Sequence, residues 1–219
     1  MSPVRHCAHL PALPRRLSAR LRKSLWRATL TATGGVRREG RLPRGGCVVI
    51  ANHTSHADTA ALLAALDARH APRIAAAADY WFATAWRRRI CRRLAAGFPV
   101  RRTGGGLRDL LAMTEALHRG HAVVLFPEGT RGREGSLGAF HRGALLLARH
   151  AQVPVVPVAL MGTGQLLPKH GSLTRTRLRV RIGAPLAPTA GPAEARAAVE
   201  ALLTGAVTPE DGGSGARTA

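Results

Sequence analysis

The chain alternates short apolar runs of strand length with segments whose apolar residues recur at helical spacing. The run at 47–51 is followed by a helical pattern at about 57–69. Further strand-like runs lie at 36–39, 73–78, 122–126, 153–161 and 177–182, and further helical patterns lie at 107–119, 137–150 and from 192. This alternation predicts an α/β domain with a mostly parallel or mixed central sheet flanked by helices. At 219 residues the chain is long enough for one such domain with a sizeable core.

A histidine and a carboxylate follow the first run, in the segment NHTSHAD at 52–58. Binding sites in such sheets lie beyond the carboxyl ends of strands, where this segment is predicted. From the first helical turn Asp58 can reach one imidazole nitrogen of His53, so that the other nitrogen faces outward as a general base. A structural role is the alternative, because Ser55 and Asp58 have the spacing of a capping box, and both roles can hold at once. His56 is a weaker candidate, expected to face solvent.

The segment FPEGTR at 126–131 follows another buried run. Arg131 can hold a phosphate group through its forked donors, and Glu128 can accept from a substrate hydroxyl or hold an arginine in place. The alternative is that Pro127 and Gly129 only mark a turn. A base, an orienting carboxylate and an anion-binding arginine are together what acyl transfer onto a phosphorylated alcohol requires.

Two further segments have more than one interpretation. Arg101 and Arg102, beside the glycine triplet at 104–106, form either a phosphate pocket or a solvated basic loop. The segment 153–158 contains two prolines, which cannot donate to a strand ladder. It therefore predicts an edge or bulged strand that lines an apolar cleft, with plain core as the alternative.

The chain is strongly basic, with 33 Lys and Arg residues against 12 Asp and Glu residues and a net charge of +21. Such a charge favours an anionic partner such as a membrane surface, a nucleic acid or a phosphorylated ligand. Compositional bias is the alternative, because nearly all of these residues are arginine. The three cysteines lack metal-ligand spacing, so reduced thiols are expected. No apolar run approaches the roughly 18–20 residues of a transmembrane helix, and a signal peptide is not expected.

Residues 1–35 are predicted to form a basic amphipathic arm that associates with a membrane, ahead of the main domain at 36–204 and a disordered tail at 205–219. Leucines at 10, 13, 17, 21 and 25 share one side of a helical wheel, and the basic residues with Trp26 share the other. A helix docked on the protein's own core is the alternative. The aromatic and arginine-rich segment 79–94 fits lipid headgroups, and it also fits single-stranded nucleic acid.

These motifs resemble those of the lysophosphatidic acid acyltransferase family, the 1-acylglycerol-3-phosphate O-acyltransferases. His53 and Asp58 match its HxxxxD motif, and the segments at 97–102, 126–131 and 153–158 resemble its second, third and fourth motifs. The similarity covers roughly residues 36–187. One departure is Arg101, where many members carry Asp.

The resemblance implies a glycerolipid acyltransferase-like fold and transfer of a fatty acyl group from acyl-CoA or acyl-carrier protein to the free hydroxyl of lysophosphatidic acid, giving phosphatidic acid. His53 would be the general base and Asp58 would orient it. The residues implied in binding the acceptor's phosphate and glycerol end are Glu128, Gly129, Thr130, Arg131 and Arg102. Backbone amides near Gly129 are expected to stabilise the oxyanion. No cofactor, metal or covalent enzyme intermediate is implied.

The expected location is the cytoplasmic face of the membrane, where the protein would be peripheral on an anionic surface. Another lysophospholipid or a glycolipid is the alternative acceptor. A basic nucleic-acid-binding protein is a more distant alternative, and it would leave the motifs at 52–58 and 126–131 unexplained.

Overall fold

Seven strands form one sheet in the computed structural model, which describes residues 15–132, 136–168 and 172–205. The strands are β1 (Val36–Glu39), β2 (Cys47–Ala51), β3 (Arg73–Ala77), β4 (Gly97–Val100), β5 (Ala122–Leu125), β6 (Val155–Met161) and β7 (Leu178–Ile182). The α-helices are α1 (Arg15–Ala32), α2 (Ala57–Ala65), α3 (Ala78–Trp81), α4 (Ala85–Leu94), α5 (Gly106–Leu111), α6 (Thr114–His118), α7 (Gly143–Ala151), α8 (Thr163–Leu166) and α9 (Pro192–Thr204). Each predicted strand is present to within two residues, and β4 is an additional one.

Parts of two predicted segments lie outside the described residues. They are residues 1–14 of the predicted arm and the predicted tail beyond Gly205. Gly205 itself ends α9 in the left-handed conformation, with φ of 78°. Glycine suits that position because it has no Cβ.

The sheet is mixed, in the order β1-β7-β6-β2-β5-β3-β4. Strands β2 to β6 run parallel to one another, whereas β7 is antiparallel to β6 and β1 is parallel to β7. The carboxyl ends of β2 to β6 therefore share one side of the sheet, called the carboxyl edge below, and their amino ends share the amino edge. This confirms the predicted fold class. It also places the segments after β2 and β5 side by side, because these two strands are neighbours.

Helices cover both faces of the sheet because its central strands are apolar on both sides. All five residues of β2 are buried. On one face Val49 packs in a cluster with residues of α2 and with Leu30 of α1. On the other face Val48 packs with residues of α7 and α9. The ends of the strands are thus the places where polar side chains can collect.

The prediction that 153–158 forms an edge strand was wrong, because β6 lies inside the sheet between β7 and β2, and its residues up to Leu160 are buried, as in the alternative of plain core. Pro157 pairs with Ile50 of β2, and its carbonyl accepts a hydrogen bond of 2.9 Å from Gly183 N. The antiparallel ladder with β7 begins one residue later, at Val158 opposite Ile182. A residue other than proline at this position would direct its N–H toward β7, just beyond the end of this ladder. The sheet therefore tolerates Pro157, because no ladder hydrogen bond is lost.

The helix predicted at 137–150 begins only at Gly143, because the preceding residues cross over the carboxyl edge. Gly138 N donates to the carboxylate of Glu128 at 3.0 Å. His141 N donates to the carbonyl of Pro127 at 2.9 Å. These bonds satisfy amides that would otherwise belong to the first turns of a longer helix.

Helix α1 packs against the rest of the domain. Ala19 and Leu30 are buried, and Leu30 lies in the main core cluster. Trp26 Nε1 donates to Leu94 O and Lys23 Nζ donates to Leu66 O, both at 2.9 Å. The side with Lys23 and Trp26 therefore faces the protein.

The leucine row of α1 points away from the protein. Leu17, Leu21 and Leu25 are 41%, 54% and 48% exposed. The alternative of a helix docked on the protein's own core is therefore confirmed for α1, although the docking side is not the leucine row. None of the described helices is both long and apolar enough to span a membrane.

Leu30→Ala should lower the free energy of unfolding by about 2–5 kcal/mol, because it opens a cavity at a buried position. Leu21→Ala on the exposed side is the matched control, and it should change this free energy by less than about 0.5 kcal/mol. Urea titration of both variants measures the difference. Equal, small effects would show that α1 does not pack on the core in solution.

Candidate active site

His53 and Asp58 meet at the carboxyl edge, as the sequence predicted. His53 follows β2, and Asp58 lies in the first turn of α2. His53 Nδ1 lies 2.7 Å from Asp58 Oδ2. Asp58 is fully buried, and the side chain of His53 is 20% exposed. The pair therefore joins a sequestered carboxylate to an imidazole that solvent can reach.

One oxygen of Asp58 gathers three hydrogen bonds. Besides His53, Oδ2 accepts from Thr54 N at 2.8 Å and from Ser55 N at 2.9 Å. These amide bonds make Oδ2 an acceptor, so Nδ1 of His53 carries the proton of the shared hydrogen bond and Nε2 is left as an acceptor. The bond from Ser55 N also fits the capping interpretation. Asp58 thus closes the start of α2 and orients His53 at the same time.

Phe126 sets the plane of the His53 ring. The two rings are stacked, with centroids 4.1 Å apart and an interplanar angle of 17°. Phe126 follows β5, the sheet neighbour of β2, which explains why the two side chains meet. Sequence reasoning included Phe126 in a motif but assigned it no role, because the contact depends on strand order.

Glu128 ties the segments after β2 and β5 together. Its Oε1 accepts from His53 N at 2.8 Å, and its Oε2 accepts from Gly138 N at 3.0 Å. Glu128 is only 8% exposed. Both carboxylate oxygens are therefore engaged by backbone amides, and the structure uses Glu128 to position His53. Its predicted contact with the acceptor stays a prediction.

Two glycines let the loop close over this carboxylate. A Cβ at Gly132 would come within 3.1 Å of Glu128 Oε2, and one at Gly138 within 3.2 Å. Gly132 N also donates to His53 O at 2.8 Å. The His53 backbone is thus held at its N–H by Glu128 and at its carbonyl by Gly132. Neither glycine was singled out from the sequence.

Arg131 lies close to the histidines. Partial desolvation lowers the pKa of His56, and the neighbouring Arg131 and His53 lower it further, while Asp58 acts in the opposite direction. His56 is exposed, as predicted, and makes an edge contact with Trp81 at a centroid distance of 6.1 Å. Arg131 therefore brings positive charge to the same side of the site as His53.

Gly129 and Thr130 form the exposed tip of the turn. Gly129 has φ of +71°, and a Cβ there would lie 3.2 Å from the ring of His141. Its N–H donates to Phe126 O at 3.1 Å, which closes the turn. This amide is therefore already engaged, and an oxyanion contact from this turn would come from Thr130 or Arg131.

Arg102 lies apart from the dyad. It follows β4, which is three strands from β2, a separation of about 14 Å at the usual strand spacing. Its Nε is 3.6 Å from Asp79, and both side chains are more than half exposed. Arg101 is engaged elsewhere, since its guanidinium pairs with Asp109 at 2.8 Å.

The segment at 52–55 is also anchored to β6 and α8. Asn52 exchanges two hydrogen bonds with the backbone of Leu160, of 2.9 and 2.8 Å. Thr54 Oγ1 lies 3.0 Å from Thr163 Oγ1. Ser55 Oγ donates to Leu167 O at 2.7 Å. These contacts fix the backbone on both sides of His53.

No group of three His, Cys, Asp or Glu side chains in the described parts of the chain is arranged to hold a metal ion. Cys47 and Cys91 are expected to stay protonated near neutral pH, because burial raises the pKa of Cys47 to about 12 and that of Cys91 to about 11. The titratable groups at the carboxyl edge include His53, Asp58, His56, Glu128 and Arg131, and the ring of His141 lies beside Gly129.

The chain is similar in sequence and fold to known proteins. A family model described as Acyltransferase matches residues 35–161. The chloroplastic 1-acyl-sn-glycerol-3-phosphate acyltransferase BAT2 of Brassica napus is 45% identical over 74 residues, which are 33% of this chain and 22% of that protein. The 1-acyl-sn-glycerol-3-phosphate acyltransferase alpha of Bos taurus is 34% identical over 147 residues, which are 66% of this chain and 50% of that protein. The matches thus span from about a fifth to half of the length of these relatives.

A solved structure extends the similarity over most of the chain. The crystal structure of the 1-acyl-sn-glycerophosphate acyltransferase PlsC from Thermotoga maritima has a TM-score of 0.67 and 26% sequence identity. The superposition covers 88% of this chain and 80% of that one. The α/β fold that the sequence resemblance implied is therefore confirmed.

Glu128→Gln should lower the free energy of unfolding by about 1–3 kcal/mol, because the new amide group would face a backbone N–H where a carboxylate oxygen accepted. Glu115→Gln is the matched control, since Glu115 of α6 is 67% exposed and its ion pair is with the exposed Arg119. It should leave the stability essentially unchanged. Faster hydrogen exchange at His53 and Gly138 in the first variant would locate the effect. Unchanged exchange there would contradict the positioning role.

Proposed function

The chain belongs to the acyltransferase family, and on that premise we propose that it transfers a fatty acyl group from an acyl thioester to the free hydroxyl of 1-acylglycerol-3-phosphate. The product would be phosphatidic acid. The observation that carries this proposal is the 2.7 Å contact between His53 and Asp58 at the carboxyl edge, beside the segment that bears Arg131. The names of the relatives, all 1-acylglycerol-3-phosphate acyltransferases, support the choice of acceptor.

His53 acts as the general base. The buried carboxylate of Asp58 accepts the Nδ1 proton, which leaves Nε2 able to take the proton of the acceptor's hydroxyl. The negative charge of Asp58 then stabilises the imidazolium that forms. Stacking on Phe126 and the backbone bonds to Glu128 and Gly132 keep the ring in place before substrate arrives.

The reaction needs no covalent bond to the protein. As Nε2 takes the proton, the acceptor oxygen attacks the thioester carbonyl carbon, and the displaced electron pair moves to the carbonyl oxygen. Collapse of this tetrahedral species re-forms the carbonyl and breaks the carbon–sulfur bond. The imidazolium returns its proton to the departing thiolate, which leaves as free CoA or carrier-protein thiol. Amides of Thr130 and Arg131 are the proposed oxyanion donors.

Arg131 binds the phosphate of the acceptor. Its charge lies near His53 and His56, and a guanidinium can hold two phosphate oxygens at once. Arg102 is proposed as a second, more peripheral contact, because it is exposed and lies two strands from β5. Thr130 at the turn tip contacts the glycerol end, and Gly129 lets the backbone approach it.

A peripheral position on the cytoplasmic face of an anionic membrane suits this reaction, because acceptor and product are lipids whereas the donors are soluble. The support is the outward row of Leu17, Leu21 and Leu25 on a helix that also carries arginines. Helix α4 adds an exposed Trp86 and Ile90 among five arginines. Single-stranded nucleic acid would also suit α4, but it would give the His53 and Asp58 pair no function.

His53→Ala should reduce thioester-dependent acylation of lysophosphatidic acid by about 10²–10⁴-fold, because it removes the base. Asp58→Asn should also reduce turnover by orders of magnitude, since the amide removes the charge that stabilises imidazolium. Asp67→Asn, at an ion pair with Arg38 outside the site, is the control that should remain active. A stable Asp58→Asn variant with nearly full activity would show that Asp58 acts only as a helix cap.

Arg131→Ala should raise KM for lysophosphatidic acid at least about 10-fold and leave KM for an uncharged monoacylglycerol little changed, because it removes a charged contact to phosphate. Arg149→Ala, an exposed arginine on α7, is the matched control for loss of one positive charge. Steady-state kinetics with both acceptors give the comparison. An equal loss for both would assign Arg131 a structural role.

Replacing Leu21 and Leu25 with Gln should weaken binding to phosphatidylglycerol vesicles at least about 10-fold, because two apolar side chains no longer enter the interface. Leu146→Gln on α7, across the sheet from α1, is the control at a leucine that is 42% exposed. Vesicle sedimentation at low and high salt measures binding, and thermal unfolding checks the fold. Unchanged binding would indicate that α4, and not the leucine row of α1, contacts the membrane.

A further inference from the structure

A cavity opens at the amino edge of the sheet, on the side away from His53 and Asp58. It has a volume of about 400 Å³ and is lined by the first residues of β3 and β4, by His121 just before β5, and by parts of α1 and α4. These strands run parallel to β2, so their first residues lie opposite the segment that follows it. A strand of four or five residues, about 13–17 Å long, separates the cavity from the candidate active site.

Four arginines from three elements line this cavity. Arg15 and Arg22 come from α1, Arg73 from β3 and Arg92 from α4. No Asp or Glu belongs to the lining. Within the described ranges none of the four arginines forms an ion pair with a carboxylate. The cavity therefore concentrates positive charge without an internal counter-charge.

Arg22 and Arg73 each lie close enough to another arginine for its charge to disfavour their own charged forms. Burial and then the charge of Arg73 lower the pKa of Arg22. Burial and then the charge of Arg15 lower the pKa of Arg73. The pKa of His121 falls mainly through burial, and Arg73 and Arg15 add to this. Each of these groups would be stabilised by a shared anion.

One hydrogen-bond donor of the four arginines has no acceptor among the described residues. The Nε atom of Arg22 is buried and has no hydrogen-bond partner among the residues that the structure describes. Ser18 places a hydroxyl in the same lining, and that hydroxyl donates to Arg15 O at 2.9 Å. A buried guanidinium donor without an acceptor is costly, and a bound oxyanion would remove that cost.

We propose that this arginine cavity, formed by Arg15, Arg22, Arg73 and Arg92, is a second phosphate-binding site at the amino edge of the sheet. Its ligand is a phosphate group, carried either by the headgroup of an anionic lipid or by a soluble phosphate ester. The guanidinium fork matches phosphate oxygens, and the volume suits a small ligand, since such sites span about 300–1,000 Å³. The proposal does not depend on acyl transfer.

A ligand in the arginine cavity would join α1 to the body of the domain. It would bridge Arg22 on α1, Arg73 on β3 and Arg92 on α4, which all line the cavity. The outer side of α1 carries the exposed leucine row. Phosphate binding is therefore expected to stabilise the docking of the helix that is proposed to lie on the membrane.

Thermal unfolding with added phosphate tests the site. The full chain carrying Arg131→Ala and Arg102→Ala removes the arginines proposed for the carboxyl edge, and potassium chloride at matched ionic strength controls for screening of repulsion. Inorganic phosphate at about 100 times its Kd should raise Tm by about 5–10 °C above the chloride control. Arg22→Gln or Arg73→Gln in this background should abolish the rise. Arg88→Gln, an exposed arginine of α4 outside the lining, should retain it.

A rise no larger than that with chloride would overturn the proposal, as would an equal rise in the Arg22→Gln and Arg73→Gln variants. If neither variant folds, calorimetric titration of inorganic phosphate into the Arg131→Ala, Arg102→Ala protein decides the question. Saturable binding near one phosphate per chain would support the site. The absence of a saturable heat signal would overturn it.

Ligand comparison separates the two sources of phosphate. Inorganic phosphate, glycerol 3-phosphate and a short-chain diacyl phosphatidic acid below its micelle concentration are compared at equal concentration. A larger shift with the diacyl ligand, lost in Arg73→Gln, assigns the cavity to a lipid headgroup. Equal shifts for all three, also lost in Arg73→Gln, assign it to soluble phosphate. Shifts that persist in Arg73→Gln with every ligand overturn the site itself.

Discussion

The buried carboxylate of Asp58 is the group on which the rest of the site depends. Taking an ionised carboxylate out of water costs several kcal/mol even after relaxation. Three hydrogen bonds to Oδ2 offset this, at about 1.5–3 kcal/mol for each bond to a charged group. Two of them come from the backbone just before α2, so the bend after β2, the start of the helix and the tautomer of His53 are set together. The same atom, Asp58 Oδ2, therefore holds the backbone at the start of α2 and orients the proposed general base.

Glu128 extends this arrangement to the neighbouring strand. It holds the backbone N–H of His53 from the segment after β5, and it holds Gly138 from the loop that leads into α7. Three stretches far apart in sequence thus converge on one buried carboxylate. The arrangement leaves the turn at Gly129 and Thr130 exposed, beside Arg131. Glu128, which the sequence suggested for substrate binding, has its oxygens directed at backbone amides, and its contact with substrate stays a prediction.

Charge is distributed unevenly over the fold. At the carboxyl edge Arg131 lies beside titratable histidines. At the amino edge four arginines lie together, and none of them pairs with a carboxylate in the described residues. Helix α1 connects this pattern to its leucine row, since its inner side meets the core and the arginine cavity while its outer side is apolar. An ordinary surface helix is oriented the other way round, because burial favours its apolar side. This orientation suits the proposed contact of α1 with a membrane.

The sequence alone determined the fold class, the positions of six of the seven strands and the meeting of His53 with Asp58, because these follow from local periodicity and from five-residue spacing at one strand end. It did not determine that Glu128 serves the backbone of His53, that Phe126 stacks on the ring, or that Pro157 sits inside the sheet. Those outcomes depend on which strands become neighbours and where each ladder ends. The arginine cavity was equally beyond sequence reasoning, since Arg22, Arg73 and Arg92 come from three separate elements. Only the tertiary structure decides such contacts, because strand order and helix docking bring together residues that no local pattern connects.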